Sequence, residues 1–353
     1  MLEYTLKKLP LAEDFNSVEI LELSLKANQA FGELDKAILE LPNFELVLEP
    51  LTIREAVASN EIENIRTTTL EMLQAELLNP QTLPYAQKEV LHYKKSLIAG
   101  LEIIQNNNIL TADDLISIHS RIVPDKTGFR NRGGVYIGNR LGEVIYTPPQ
   151  DKDQILDYIS NLFDYINTFQ INDLVKIIIT HYQFEAIHPF FDGNGRVGRI
   201  LMALQFCLEK KLRYPILYTS GYIVKNKSIY YELFRGIQDN NKWRDWIVFH
   251  LNGIISQARE GLLRINEISK LQKIFVSKLE ASLKLPKKHK SQVPQYFFIK
   301  AFYTQADMAR TLNMSRNTAK KYLETLESFE LLQSRKAGRE TLYFIQGFLD
   351  ILS

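Results

Sequence analysis

Apolar positions recur at helical spacing near the start of the chain: Val18, Leu21, Leu25, Ala30, Leu34 and Ile38 fall between Ser17 and Leu41, and Pro42 closes the run. That spacing predicts a helix. A second helix, opened by Pro50 and rich in Glu and Ala, is predicted from Leu51 to Ile65, and a third from Leu70 to the Asn79-Pro80 turn signal. Helical character continues over Tyr85–Gln105 and Ala112–Ile122. Between Gly128 and Gln150 the pattern changes. Gly133-Gly-Val-Tyr-Ile-Gly and Val144-Ile-Tyr-Thr-Pro-Pro are short β-prone runs about the Gly-containing segment Asn139-Arg-Leu-Gly-Glu, which predicts a hairpin. Helical periodicity returns over Gln154–Phe169, Asp173–Glu185 and Ile200–Leu208. Past Thr304, two short helical patterns flank a turn at Asn313-Met-Ser315, and Leu331–Phe344, with Lys336-Ala-Gly-Arg inside it, fits two strands.

A length of 353 residues favours two or three domains. The reading is an N-terminal helical domain over 1–85, a catalytic core over 86–255, a linker helix over 256–285 and a C-terminal domain over 286–353. Hydrophobic residues at 45% and charged residues at 24% exclude a largely disordered chain. The start lacks a long apolar stretch, and none of eighteen uncharged residues follows, so a cytoplasmic chain without a membrane partner is expected. The lone Cys207 excludes an intrachain disulfide and reads as a reduced core thiol. The net charge of +2 is uninformative, but the stretch from Lys284 to Arg339 is locally basic.

The decisive chemistry lies in residues 188–199, His-Pro-Phe-Phe-Asp-Gly-Asn-Gly-Arg-Val-Gly-Arg, between two apolar helical runs. A loop feeding a helix N-terminus offers unpaired N–H groups and the positive end of the dipole to an anion. Gly193 and Gly195 allow that anion close to the main chain. Arg196 and Arg199 place permanent positive charge in the first turn, against the dipole, and a polyanionic ligand accounts for them. Asp192 is a hard oxygen ligand of the kind that holds Mg²⁺ beside phosphate oxygens. His188 is the candidate base, because a near-neutral imidazole can take a proton from an attacking hydroxyl. Pro189 is expected to hold it extended and outward-facing.

Blander readings fail on particular positions. Gly193-Asn-Gly-Arg-Val-Gly198 satisfies the dinucleotide fingerprint, but no strand precedes it and no βα alternation surrounds it. Asp192-Gly-Asn-Gly begins like a calcium loop, yet Val197 stands where that loop needs glycine and Ala203 where it needs a bidentate glutamate. His181 and His188 lack zinc-ligand spacing, and His181 on an apolar helix reads as a packed core histidine.

The run resembles the signature of the Fic family, His-x-Phe-x-Asp/Glu-Gly-Asn-Gly-Arg-x-x-Arg. His188, Phe190, Asp192, Gly193, Asn194, Gly195, Arg196 and Arg199 fill its fixed places. The resemblance implies a mainly α protein: a Fic-type helical core with a β-hairpin flap, an N-terminal helical unit and a C-terminal winged helix-turn-helix. It also implies a protein adenylyltransferase that uses ATP and Mg²⁺ to place AMP on a Ser, Thr or Tyr hydroxyl of a protein substrate and of itself. On that basis His188 is the base, Asp192 the Mg²⁺ ligand and Gly193–Gly195 the anion hole. Val197 and Gly198 lie in the same nucleotide-binding turn, Arg196 and Arg199 bind the β- and γ-phosphates, and Phe190 plugs the loop into the core. The hairpin from Arg140 to Thr147 is similar in position to the family's flap, with Val144 and Ile145 as expected nucleotide contacts. Asn226–Leu233 and Trp243-Arg-Asp-Trp246 look like later family helices in which a tyrosine flanks the base, Tyr230 first and Tyr231 second.

Upstream, Ser59-Asn-Glu-Ile-Glu63-Asn64 resembles the family's inhibitory motif Ser/Thr-x-x-x-Glu-Gly/Asn. The expected brake is Glu63 pairing with Arg199 and so occupying the γ-phosphate site. In the tail, Ser315 is expected to cap a second helix carrying Arg316, Asn317, Lys320 and Lys321 outward and Ala319, Tyr322, Leu323 and Leu326 inward. That resembles a winged helix, so DNA joins the protein substrate and a homodimer among the partners to test. Two alternatives stay open: removal of AMP or transfer of another phosphate-bearing group by the same site, with Glu63 positioning water, and a DNA-binding regulator whose core senses nucleotide.

Overall fold

The computed structural model describes residues 5–41, 45–75, 82–126, 128–138, 144–337 and 340–352, without the side chains of 45–47, 144, 145 and 288. The first helix, α1 (Val18–Leu39), is capped by Ser17, whose hydroxyl accepts from the Ile20 N–H. Its buried face is Ile20, Ser24, Ala27, Phe31, Leu34 and Ile38. Val18 and Leu25, expected on the same inward stripe, are 73% and 71% exposed, and Leu21 is exposed as well. The true stripe has a coiled-coil spacing of three and four, filled partly by Ser24 and Ala27.

Helix α2 (Glu45–Ile62) begins well before the expected Leu51 and carries Pro50 inside it. The proline forfeits one ladder hydrogen bond without ending the helix. After α3 (Thr69–Ala75) come α4 (Tyr85–Asn107) and α5 (Ala112–Ile122), the latter opened by a capping box between Thr111 and Asp114. Strands β1 (Ile137–Gly138) and β2 (Val144–Tyr146) pair antiparallel, Ile137 opposite Tyr146. This is the expected hairpin, with Arg140 and the rest of its tip outside the described residues.

Helices α6 (Lys152–Thr168), α7 (Asp173–Ile187) and α8 (Asn194–Leu208) follow. Every residue of α7 from Leu174 to Ile187 is buried, so α7 is the central rod, with α6, α8 and the later helices around it. An apolar surface on all sides suits that position. Next come α9 (Thr219–Lys225), α10 (Lys227–Asn240) and α11 (Trp243–Ser282). At 40 residues, α11 crosses the expected boundary at 255/256 unbroken, so the linker is the second half of one helix rather than a separate element. The buried stripe of α1 lies along α11.

The C-terminal unit comprises α12 (Gln292–Tyr296), α13 (Gln305–Thr311), α14 (Arg316–Ser328), β3 (Gln333–Ala337), β4 (Glu340–Phe344) and α15 (Gln346–Leu352). Ser315 caps α14 as expected, accepting from the Thr318 N–H at 3.1 Å, and Ala319, Tyr322, Leu323 and Leu326 face inward. Strands β3 and β4 pair as an antiparallel ribbon where two strands were expected, and Tyr303 pairs with Tyr343 at its edge. Among the described residues, no helix is long and apolar enough to cross a membrane.

Candidate active site

Helix α7 ends at His188, which adopts a left-handed conformation (φ 50°, ψ 58°) and donates its N–H to the Phe184 carbonyl. The expected extended geometry before Pro189 is therefore replaced by a helix C-cap turn. Arg130, fully buried, enforces it. Its Nε donates to the His188 carbonyl at 2.8 Å, another guanidinium nitrogen donates to the Pro149 carbonyl, and its own N–H donates to the Pro189 carbonyl at 2.8 Å. The loop is thus pinned to the segment following the hairpin. Burial, reinforced by the positive charge of Arg130, pushes the His188 imidazole down to about 4, against the opposing effects of the Glu185 backbone, Glu63 and Asp192. At neutral pH the ring is uncharged and able to accept a proton.

The loop is braced from within. Phe190 is fully buried and lies flat on His119, ring centroids 3.8 Å apart, while His119 Nε2 is 3.0 Å from the Asp192 carbonyl. The Asn194 side chain spans the turn, accepting from the Phe190 N–H and donating to the Phe190 carbonyl, both at 2.8 Å. Asn194 thus shapes the turn from within. Gly193 takes the left-handed region at φ 77° and leaves α8 without a side-chain cap. The first N–H groups of α8, at Asn194, Gly195 and Arg196, have no partner within the helix and point where an anion would sit.

Both arginines already carry carboxylates. Arg196 is buried against Glu89 and lies 3.8 Å from Asp192. Arg199, 3% exposed, donates from Nε to Ser59 Oγ at 2.7 Å, and from Nη2 to the Ser59 carbonyl at 3.0 Å and to Glu63 Oε1 at 2.8 Å. Burial works to raise the Glu63 carboxyl, but the charge and hydrogen bond of Arg199 prevail and hold it below the ordinary range. Glu63 reaches this position because α2 ends there: Asn64 is left-handed at φ 63° and the Ile65 N–H returns to the Asn60 carbonyl. A glycine or asparagine suits that backbone. Gly195 provides the room, since a methyl group there would overlap Glu63 Oε1 and come within 2.9 Å of an Arg199 nitrogen.

Asp192 is half exposed, accepts from the Gly193 N–H at 2.7 Å and lies 4.0 Å from Lys126. One accessible carboxylate beside an anion-binding turn fits Mg²⁺, which takes few protein ligands and completes its shell from phosphates and water. Val197, Gly198 and Arg199 continue α8 inward and are buried. Tyr230 is enclosed, its hydroxyl 3.0 Å from His181 Nε2 and its ring beside Trp246, which makes it a packing residue. Tyr231 is half-buried, and burial, with the negative charge of Glu63, raises its hydroxyl to about 12. Of the two it is the less buried. His181 is a packed core histidine, stacked on Trp246. Val144 and Ile145 lie on β2, and their side chains are outside the described residues. Cys207 is free and half-buried.

Sequence reasoning missed Arg130, Glu89, His119 and Glu185. Each acts on the loop or its arginines from elsewhere in the chain or from the helix before it, and none belongs to a spaced motif.

Three family models match the chain: Fic/DOC family over residues 109–206, Fic/DOC family N-terminal over 21–102, and protein adenylyltransferase SoFic-like, C-terminal domain, over 278–348. Protein adenylyltransferase fic-1 of Caenorhabditis briggsae is 22% identical over 222 residues, covering 55% of this chain and 42% of that protein. A probable protein adenylyltransferase of Aquifex aeolicus is 29% identical over 169 residues, covering 45% of this chain and 48% of its own length. The chain therefore spans less than half the length of these curated relatives. In architecture it resembles a Fic family protein from Desulfovibrio desulfuricans G20, with a TM-score of 0.60 at 20% identity over 94% of this chain and 97% of that one. It also resembles residues 134–508 of Fic-1 from Caenorhabditis elegans, with a TM-score of 0.54 at 16% identity over 71% of this chain and 74% of that one. With the N-terminal, central and C-terminal segments matched in order and the loop from His188 to Arg199 intact, the chain belongs to the Fic/DOC family.

Proposed function

We propose that the chain transfers AMP from ATP to a hydroxyl group of a protein and is held off by Glu63. The observation that carries this reading is a neutral imidazole, His188, joined by one short loop to a helix N-terminus with open N–H groups and two arginines. His188 takes the proton of a Ser, Thr or Tyr hydroxyl, whose oxygen attacks the α-phosphorus. The bond from that phosphorus to the α–β bridging oxygen breaks, and pyrophosphate leaves. The approaching phosphates would raise the imidazole's proton affinity at the moment the proton moves. The N–H groups of the α8 turn receive the phosphates, and Arg199, once free of Glu63, binds the γ-phosphate. Asp192 would hold Mg²⁺, which neutralises phosphate charge when bound.

The names of the relatives support the donor and the reaction. The test is label transfer with Glu63→Gly protein. Label from the α-phosphate of ATP should be retained on protein and label from the γ-phosphate should not, and adding His188→Ala should abolish retention. Retention of γ-label would make the protein a kinase-like phosphotransferase instead.

A second reading, for the C-terminal unit, is favoured by the outward face of α14, where Arg316, Asn317, Lys320 and Lys321 are exposed in the half of the helix that a winged helix offers to the major groove. We infer binding to duplex DNA through this face. Affinity should fall steeply as salt is raised, and Arg316→Ala with Lys320→Ala and Lys321→Ala should reduce both affinity and the salt slope. An unchanged affinity in that triple variant would point to a protein partner for the unit.

A further inference from the structure

Glu185 sits in the last turn of α7, three residues before His188, and is 8% exposed. Its Oε1 is buried and accepts no hydrogen bond among the described residues. The carboxyl lies against α8 at Gly198, where a methyl group would overlap Oε1 and press within 2.9 Å of the Phe184 ring. The next residue of α8 is Arg199. Arg199 from α8, Glu63 from the end of α2, and Tyr230 and Tyr231 from α10 lie within electrostatic reach of the carboxyl, and none of them hydrogen-bonds its Oε1. His181, one turn earlier on α7, is tied to the Tyr230 hydroxyl, and His188 follows on the loop. Glu55, in the middle of α2, also acts on Arg199.

The charge balance of this enclosed cluster is tight. With Glu63 seated, Arg199 is neutralised, and a second ionised carboxylate beside the pair would leave buried negative charge unpaired. Burial accordingly raises Glu185 to about 7, with Arg199 opposing and Glu63 adding to the rise. When Glu63 withdraws, Arg199 is left as a buried cation with no carboxylate seated on its outer nitrogens, and the cost falls if Glu185 ionises.

We propose that Glu185 is a positioning residue for Arg199, the counter-ion that holds the guanidinium between occupants and takes up a proton when an anion seats on it. The anion is either the Glu63 carboxylate or a nucleotide phosphate. One proton passes from solvent to the Glu185 carboxylate as the anion arrives and returns to solvent when it leaves. No other bond is made or broken. Glu185 thus keeps the arginine aligned while competing less with the ligand, because its proton affinity rises when the ligand is present. This inference rests on the nucleotide-transfer reading above.

The experiment is calorimetric titration of Mg²⁺-ATP into Glu63→Gly/His188→Ala protein in two buffers of different ionisation enthalpy. At pH 7 the account expects uptake of about half a proton per nucleotide bound, and affinity should fall about fourfold between pH 6.5 and 8.5. Adding Glu185→Gln should remove the uptake and flatten the profile while nucleotide still binds. A purely structural role would shift affinity equally at every pH. Binding without proton uptake in the Glu185-containing protein would overturn the proposal and leave the transfer reading standing. No nucleotide binding at all would take both down.

Discussion

Glu55 is fully enclosed, accepting from the Ser220 N–H at 3.0 Å, from the Ser220 hydroxyl and from the Tyr93 hydroxyl at 3.3 Å. Burial pushes its carboxyl up to about 7 from an ordinary value of 4.5, against those hydrogen bonds and Arg199. A carboxyl that binds its proton more tightly in the folded state stabilises the fold fully below about pH 4.5 and loses that contribution as pH rises through about 7. Glu55→Gln removes the titration, so its stability relative to the parent should improve with pH, by on the order of 3 kcal/mol between pH 4.5 and 8. Denaturant titrations across that range check it, and a stability difference independent of pH would contradict it. The residues of the 188–199 loop were legible in the sequence because their chemistry is concentrated in one short segment. Arg130 was not, because its partners His188 and Pro149 lie 58 and 19 residues away. Nor was Glu89, 107 residues from Arg196. Only folding brings such counter-ions together, and a lone buried Arg or Glu looks like any solvated one in sequence.

At the scale of elements, the periodicity identified most of the longer helices but not always the face they bury. In α1 the prominent Val18, Leu21 and Leu25 point to solvent, and the stripe against α11 runs through Ser24 and Ala27. Small residues permit close helix approach and carry little weight in an apolar pattern, which is why the larger side chains misled. Pro50 read as a helix start for the same local reason. Its missing N–H is a cost the flanking packing of α2 absorbs. The polar face of α2 is the more informative pattern: Glu55, Ser59 and Glu63 stand four apart and engage Ser220, Arg199 and again Arg199. One stripe therefore both anchors the helix and brings Ser59 and Glu63 onto Arg199.

Across the whole molecule, α11 ties the units together, running beneath α1 and on to the C-terminal unit. Arg264 on α11 donates to the Ile351 carbonyl of α15 and pairs with Glu260, which in turn lies 3.0 Å from Arg54 on α2. The C-terminal unit is thereby fastened to the helix that carries Ser59 and runs into Glu63. The central claim is that one intact site, with His188 as its base, is restrained by the clamp of Ser59 and Glu63 on Arg199. Intact-mass measurement of the parent, Glu63→Gly and Glu63→Gly/His188→Ala proteins after incubation with Mg²⁺-ATP tests it most directly. The account predicts a gain of one AMP in Glu63→Gly, less in the parent and none in the double variant. Equal modification of the parent and Glu63→Gly, or any AMP on the double variant, would contradict it.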